Sequence, residues 1–299
     1  MYKNLSPEAL GISGRQSELI ELALTYGFQG LDLDIAPFTK QVQLHGFDHA
    51  ARFLESAKLK IGGFELPVRW QGDDTEFGED LNRLTSVAEA ASKMGATGCR
   101  TVVMAASDTL PYHENFEFHR QRFTKIAETL APHSIRLGLD FQAAVVHREG
   151  RKNPFIDSPD ALLTLAKTVG MPNVGVVVDL WQWHVGGGRW DQLRELSEDQ
   201  IVLVRAADIP ADVPVDQITD EQRLLPGAGG VIDSAAVLEL LTELGYQGPV
   251  TPFPHPSQFK GSTRDSMVRS AGNSIELSPQ LPEITEEMAT TAAVEGNGA

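Results

Sequence analysis

The stretch 174-VGVVVDLWQWHVGGG-188 decides the fold. Three consecutive valines, Val176 to Val178, suit a strand buried on both faces, as happens when helices cover both sides of a parallel sheet. Asp179 closes the run, and aromatic, polar and glycine residues follow at once, so a carboxylate stands where the strand ends. Outward from it the same pattern recurs. Short apolar runs at residues 9–12, 30–35, 61–65, 99–105, 136–141, 174–179, 201–208 and 249–253 alternate with helical periodicity at 17–26, 49–57, 81–94, 116–131, 159–169 and 234–244. Eight strands with helices between them predict a single (β/α)8 TIM barrel over residues 1–278, an eight-stranded parallel α/β fold. Residues 279–299, rich in Glu, Thr and Ala, read as a flexible tail.

Local punctuation agrees. Ser158-Pro159 places a capping residue before a proline at the first helical position, and Asp233-Ser234 is another helix start. Gly170 and Gly245 stand where helices should stop. Two long connections, 143–157 and 209–230, follow the fifth and seventh runs, on the face where a barrel builds its active site.

With 299 residues, 41% of them hydrophobic, the chain can bury a large core. A net charge of −16 opposes the basic surface that nucleic acid requires. The single cysteine, Cys99, excludes a disulfide framework and reads as a small buried hydrophobe. No apolar run reaches the roughly 20 residues of a spanning helix, and the first residues lack a signal peptide's apolar region, so a cytoplasmic protein with no membrane partner is expected.

Carboxylates recur at the strand ends: Asp32 and Asp34, Glu65, Asp140 and Asp179. Each could cap the following helix; as a set they point to a polar site, because polar groups at the last inward position of a strand are costly unless used. Trp181, Gln182, Trp183 and His184 offer an aromatic wall with polar handles, suited to a carbohydrate's face and hydroxyls. Ser13-Gly14-Arg15 either touches a ligand or starts a helix, and Trp70 beside Arg69 is either pocket wall or packed surface. Residues 227–230 are glycine-rich but lack the strand–helix setting of a phosphate loop, so no nucleotide cofactor is expected.

Taken with Arg205-Ala-Ala-Asp-Ile-Pro, Leu225-Pro-Gly-Ala-Gly-Gly-Val-Ile-Asp233 and Gly245-Tyr-Gln-Gly-Pro-Val-Thr, these strand ends resemble the xylose isomerase-like sugar isomerase/epimerase barrels, from Leu10 to Phe253. The resemblance implies a small-molecule carbohydrate ligand and a divalent cation, Mn2+ or Mg2+, held by side chains of strands five to eight. It further implies proton abstraction beside a carbonyl. Carried over, the ligand positions fall on Asp140, Asp179, Arg205 and Phe253, and a further family histidine falls on Gln182. Arginine has no lone pair for a metal and phenylalanine cannot ligate or transfer a proton. Hence Asp140 and Asp179 are metal ligands only if a cation is retained, and Arg205 is expected to pair with one of them or to polarise a carbonyl. A rebuilt site could instead recruit His147, His184 or His255.

The resulting expectation is a sugar, keto-sugar or polyol isomerase/epimerase with Asp140 as base, Asp179 and Arg205 beside it, and Glu65, Trp181, Gln182, His184 and His255 binding substrate. A non-catalytic sugar-binding descendant and a lyase or dehydratase of the same superfamily are the alternatives, and a homo-oligomer is left open.

Overall fold

Parallel strands can be joined only by crossovers, and here helices supply them. The computed structural model describes residues 1–277. The first half of the chain comprises β1 (Tyr2–Leu5), α1 (Gln16–Thr25), β2 (Gly30–Leu31), α2 (Ile35–His45), α3 (Phe47–Ala57), β3 (Lys60–Ile61), β4 (Phe64–Glu65) and α4 (Asp74–Lys93). There follow β5 (Gly98–Val102), β6 (Ala106–Ser107), α5 (Tyr112–Leu130), β7 (Arg136–Asp140), β8 (Asn153–Pro154), α6 (Pro159–Val169), β9 (Val174–Asp179) and α7 (Leu180–Val185). The last elements are β10 (Ile201–Ala206), α8 (Ser234–Glu243), β11 (Pro249–Pro252) and α9 (Arg264–Asn273).

The main sheet runs β3-β2-β1-β11-β10-β9-β7-β5-β4, every neighbouring pair parallel. Its two ends, β3 and β4, are separated in sequence only by Gly62 and Gly63, so they are two halves of one strand and the sheet closes as an eight-position barrel. At the break Gly63 takes φ 155°, and Gly62 passes so close to Asn4 that a Cβ there would lie 2.0 Å from the amide oxygen. Inside the closed sheet, Val177, Val202 and Leu203 form their own apolar cluster, with a register shift between Ile201 and Leu203.

The expected parallel barrel is therefore what the chain forms, with one displaced strand. Residues 9–12 are not the first strand. Glu8–Leu10 is a single 3-10 turn closed by Gly11, whose left-handed φ of 64° lets its N–H return to the Glu8 carbonyl. The first strand is β1, hidden in the sequence because Asn4 is buried among apolar neighbours. The expected tail at 279–299 lies outside the described residues. Among the described residues no helix is long and apolar enough to cross a membrane.

Candidate functional site

At the carboxyl ends of β7, β9 and β10 the barrel buries two ion pairs side by side. Arg205 donates from Nη1 to Oδ2 of Asp140 at 2.9 Å. Arg223, from the long connection after β10, donates from Nη2 to Oδ2 of Asp179. Both pairs are almost wholly removed from water. The second oxygen of each carboxylate is also taken: Oδ1 of Asp140 accepts from the Phe141 N–H, and Oδ1 of Asp179 accepts from the N–H groups of Trp181 and Gln182. Asp179 is thus both the N-cap of α7 and the partner of an arginine, so its two candidate roles coexist.

Phe253 explains itself in this setting. Its ring lies 3.9 Å from the Arg205 guanidinium carbon and 5.2 Å from that of Arg223, with Trp181 4.8 Å from the latter. Arg223 also donates from Nε to the Phe253 carbonyl at 3.2 Å. The resemblance implied a cation held at Asp140, Asp179, Arg205 and Phe253. These residues do not fit one, because the two carboxylates are committed to guanidiniums and the other two positions have no donor pair to offer. No cluster of three or more His, Cys, Asp or Glu suited to a metal exists among the described residues. Burial pushes the Asp140 carboxyl up to about 7, against the opposing pull of Arg205 and with a further push from the Asp179 charge.

A second charged group occupies the other half of the mouth. Arg100, buried in the middle of β5, reaches Glu8 through Nη2 at 3.0 Å, Asp32 through Nη1 at 3.4 Å and Glu65 through Nε at 3.2 Å. Asn4 donates to Asp32 at 2.7 Å and to the Thr251 hydroxyl at 2.9 Å, which ties this group to β11. Partial burial raises the Glu65 carboxyl above its usual range, opposed by the charges of Arg100 and Arg205. Glu8, Asp32, Glu65 and Arg100 line the inner end of an open cavity of about 990 Å³ whose outer walls come from α1, α2 and α3. Asp140, Asp179 and Arg205 do not line it.

The remaining expected residues separate from this cavity. Trp181 and Trp183 are fully buried, so they form no exposed aromatic wall; the sequence shows aromatic content here but not that α7 turns both rings into the core. Gln182 accepts the Ala143 N–H at 2.7 Å and holds α7 against the connection after β7. His255 caps the turn Pro256–Phe259, and its N–H donates to the Arg223 carbonyl. His184 is half-buried at the end of α7, with its pKa lowered by burial. His147 pairs with Asp220 at 2.6 Å and pins together the connections after β7 and β10. Burial pushes Asp220 up, but the hydrogen bond and charge of His147 prevail and hold it below its usual range.

Other motifs turn out to be structural. Asp208 accepts five backbone N–H groups, from Ile209, Gly229, Gly230, Val231 and Ile232, and so folds the glycine-rich stretch into a turn. Trp70 is buried, its indole donating to the Thr101 hydroxyl at 2.9 Å, and Cys99 is buried as expected. Arg15 does line the cavity, at its rim.

Sequence reasoning missed Arg100 and Arg223. Arg100 had a signal, a lone arginine inside an otherwise apolar strand; Arg223 had none, since its role depends on a contact across 44 residues.

Comparisons with known proteins agree with the fold. Residues 20–267 match the family model described as xylose isomerase-like TIM barrel. A protein named inosose isomerase from Bacillus velezensis is 24% identical over 259 residues, spanning 86% of this chain and 89% of its own. A xylose isomerase domain protein from Alicyclobacillus acidocaldarius superposes with a TM-score of 0.83 at 25% identity, over 91% of this chain and 96% of its own. The structure titled IOLI protein with a binding zinc atom superposes with a TM-score of 0.75 at 18% identity, over 92% of this chain and 96% of its own. The chain belongs to the xylose isomerase-like TIM barrel family.

Proposed function

We propose that this chain binds a sugar, keto-sugar or polyol in the cavity beside Arg100 and shifts a proton on the carbon next to its carbonyl, with Glu65 as the proton acceptor. The observation that carries the reading is the Glu65–Arg100 pair at the inner end of the cavity: a carboxyl of raised pKa, 3.2 Å from a buried guanidinium, open to a ligand. A raised pKa brings a carboxyl toward the operating pH, where it can both take and return a proton. Asp140 fits the role less well, because both its oxygens are bonded and its surface is buried.

In this reading the C–H bond beside the carbonyl breaks and its proton goes to Glu65. The electron pair forms an enediolate whose oxygen is held by Arg100. Glu8, three-quarters exposed at 75%, is the Arg100 partner that the ligand oxygen displaces. Protonation of the same carbon on its opposite face by water of the open cavity, with Glu65 later giving up its proton to solvent, yields an epimer. Return of the Glu65 proton to the adjacent carbon, with the hydroxyl proton moving between the two oxygens, yields an isomer. No electrons leave the substrate. The buried, net-neutral pairs of Asp140 with Arg205 and Asp179 with Arg223 occupy the strand ends where the zinc-bound neighbour suggests a family cation, so the positive charge that meets the ligand comes from Arg100. The inosose isomerase name of the relatives supports the reaction class.

The test is deuterium exchange. Keto-sugars and inososes are incubated in D2O with the chelator-treated protein and followed by NMR. Exchange is expected, with a loss of about 100-fold or more in Glu65→Gln. Calorimetric binding without exchange for any member of the panel would favour the non-catalytic sugar-binding descendant, which the neutralised strand-end carboxylates also suit. Loss of water or of a substituent in the products would favour a lyase.

A further inference from the structure

We infer that the ligand of this cavity carries an apolar, ring-sized substituent on its polyhydroxylated head. The inference rests on the sugar reading above and names the substrate class within it. At about 990 Å³ the cavity stands at the top of the range for small-molecule pockets, and a free hexose would occupy only a fraction of it. Its two ends also differ chemically. The inner end, at the barrel strands, holds Arg100 with its carboxylates and can satisfy hydroxyl and carbonyl groups. The outer end, between α2 and α3, has Phe38 and Leu54, both buried, and Phe53, which is 44% exposed, as its apolar wall, with Gln41, His49 and Arg52 of the same helices also lining it.

Hydroxyl groups placed against Phe38, Phe53 and Leu54 would lose water and gain no partner from that wall, which is unfavourable, while Gln41, His49 and Arg52 serve polar atoms of the ligand beside it. An apolar ring there loses nothing and covers Phe53. The Arg52 guanidinium lies 4.5 Å from the Phe53 ring, and that ring, 44% exposed, lines the cavity with surface still open to a ligand. The favoured ligand is therefore amphipathic, with its sugar inward and its substituent outward, as in an aryl glycoside or a related ring-bearing sugar derivative.

Calorimetry with matched probes tests this on the full chain. Phenyl and methyl β-D-glucopyranoside share a head and differ only in the substituent. The phenyl compound is expected to bind about ten-fold more tightly, the share for roughly half a phenyl ring removed from water. In Phe53→Ala, a change at a half-exposed position, the phenyl-to-methyl affinity ratio is expected to fall toward one. In Glu65→Gln both affinities should drop with the ratio kept. Equal binding of the two probes would overturn the inference while leaving the sugar reading standing. Tighter binding of glucose 6-phosphate than of the phenyl compound would overturn it in favour of an anionic substituent at Arg15 and Arg52. An unchanged ratio in Phe53→Ala would overturn the placement of the ring. Binding of neither glucoside would overturn the inference and the sugar reading together.

Discussion

Replacing Arg205 by Met removes the guanidinium beside Asp140 while keeping an apolar stem over Phe253. What remains is a carboxylate that is 2% exposed with a single backbone N–H for company. Deleting one partner of a buried pair costs up to about 3–5 kcal/mol where the other group would be charged, and less where that group escapes by taking up a proton. The cost depends on pH in a definite direction. Asp140 has a folded pKa of about 7, above the roughly 3.9 of an unfolded aspartate, so between these values the folded state holds a proton that the unfolded state has lost. Stability therefore falls as pH rises through this window, by about 1.4 kcal/mol for each unit below the folded pKa. From about pH 5.5 to about pH 8.5 the native protein should lose about 2 kcal/mol from this group, since the fall stops near pH 7. Without Arg205 the folded pKa rises further and the fall continues to the end of the range, giving about 4 kcal/mol. The Arg205→Met deficit should thus be about 2 kcal/mol larger at the alkaline end. Urea unfolding at both pH values, with equal slopes, measures it. A deficit independent of pH, or one under about 1 kcal/mol throughout, would refute the claim that Arg205 compensates a buried Asp140 charge.

Further outcomes follow from the same geometry. Asp179→Asn keeps an oxygen for the Trp181 and Gln182 N–H groups but leaves Arg223 unpaired, so its cost by thermal or urea unfolding should be about 3–5 kcal/mol, well above the roughly 1 kcal/mol of a lost cap. Dialysis against EDTA should move the melting midpoint by less than about 1 °C, and metal analysis should find far less than one divalent ion per chain, since both strand-end carboxylates are committed to guanidiniums. Asp208→Asn turns an NH2 group toward at least two of the five N–H donors it now accepts, and a loss of about 3 kcal/mol in urea unfolding is expected.

Much of this fold is written in short-range pattern. Seven of the eight strand positions are legible because a strand covered on both sides must be apolar along its length, and Val174–Asp179 is buried at every residue. The first strand is not, because its Asn4 is buried for the sake of Asp32 and Thr251, partners found only after folding. The helix Ile35–His45 is also hidden. Only Ile35 and Phe38 of its residues are buried, and Pro37 suggests a break, although a proline in the first turn forfeits no hydrogen bond. At the site, the strand-end carboxylates are legible as residues but not as roles. Whether Asp179 binds a metal, caps a helix or faces an arginine depends on Arg223, which sits in a connection with no local signal. Glu65 is legible as a strand end, yet its pairing with Arg100 requires knowing that β4 lies beside β5 in register Glu65 to Arg100.

Two arginines seated on the strand-end carboxylates limit how this half of the mouth can be used. A bound divalent ion leaves coordination positions open to substrate, whereas a guanidinium stacked on Phe253 and bonded to a carboxylate has a fixed place. The half of the mouth formed by β7, β9 and β10 is thereby filled, and the open volume lies with Arg100 on the half formed by β1, β2, β4 and β5. The two changes are coupled through charge. A glutamate restored alone, as Phe253→Glu, would arrive beside Arg205 and Arg223 and pair with one of them rather than with a metal. It should therefore leave the protein without stoichiometric zinc or manganese after equilibration, as measured by elemental analysis. Recovery of a full ion from that single change would mean that the arginines yield to a cation, and that their pairing with Asp140 and Asp179 is weaker than burial alone requires.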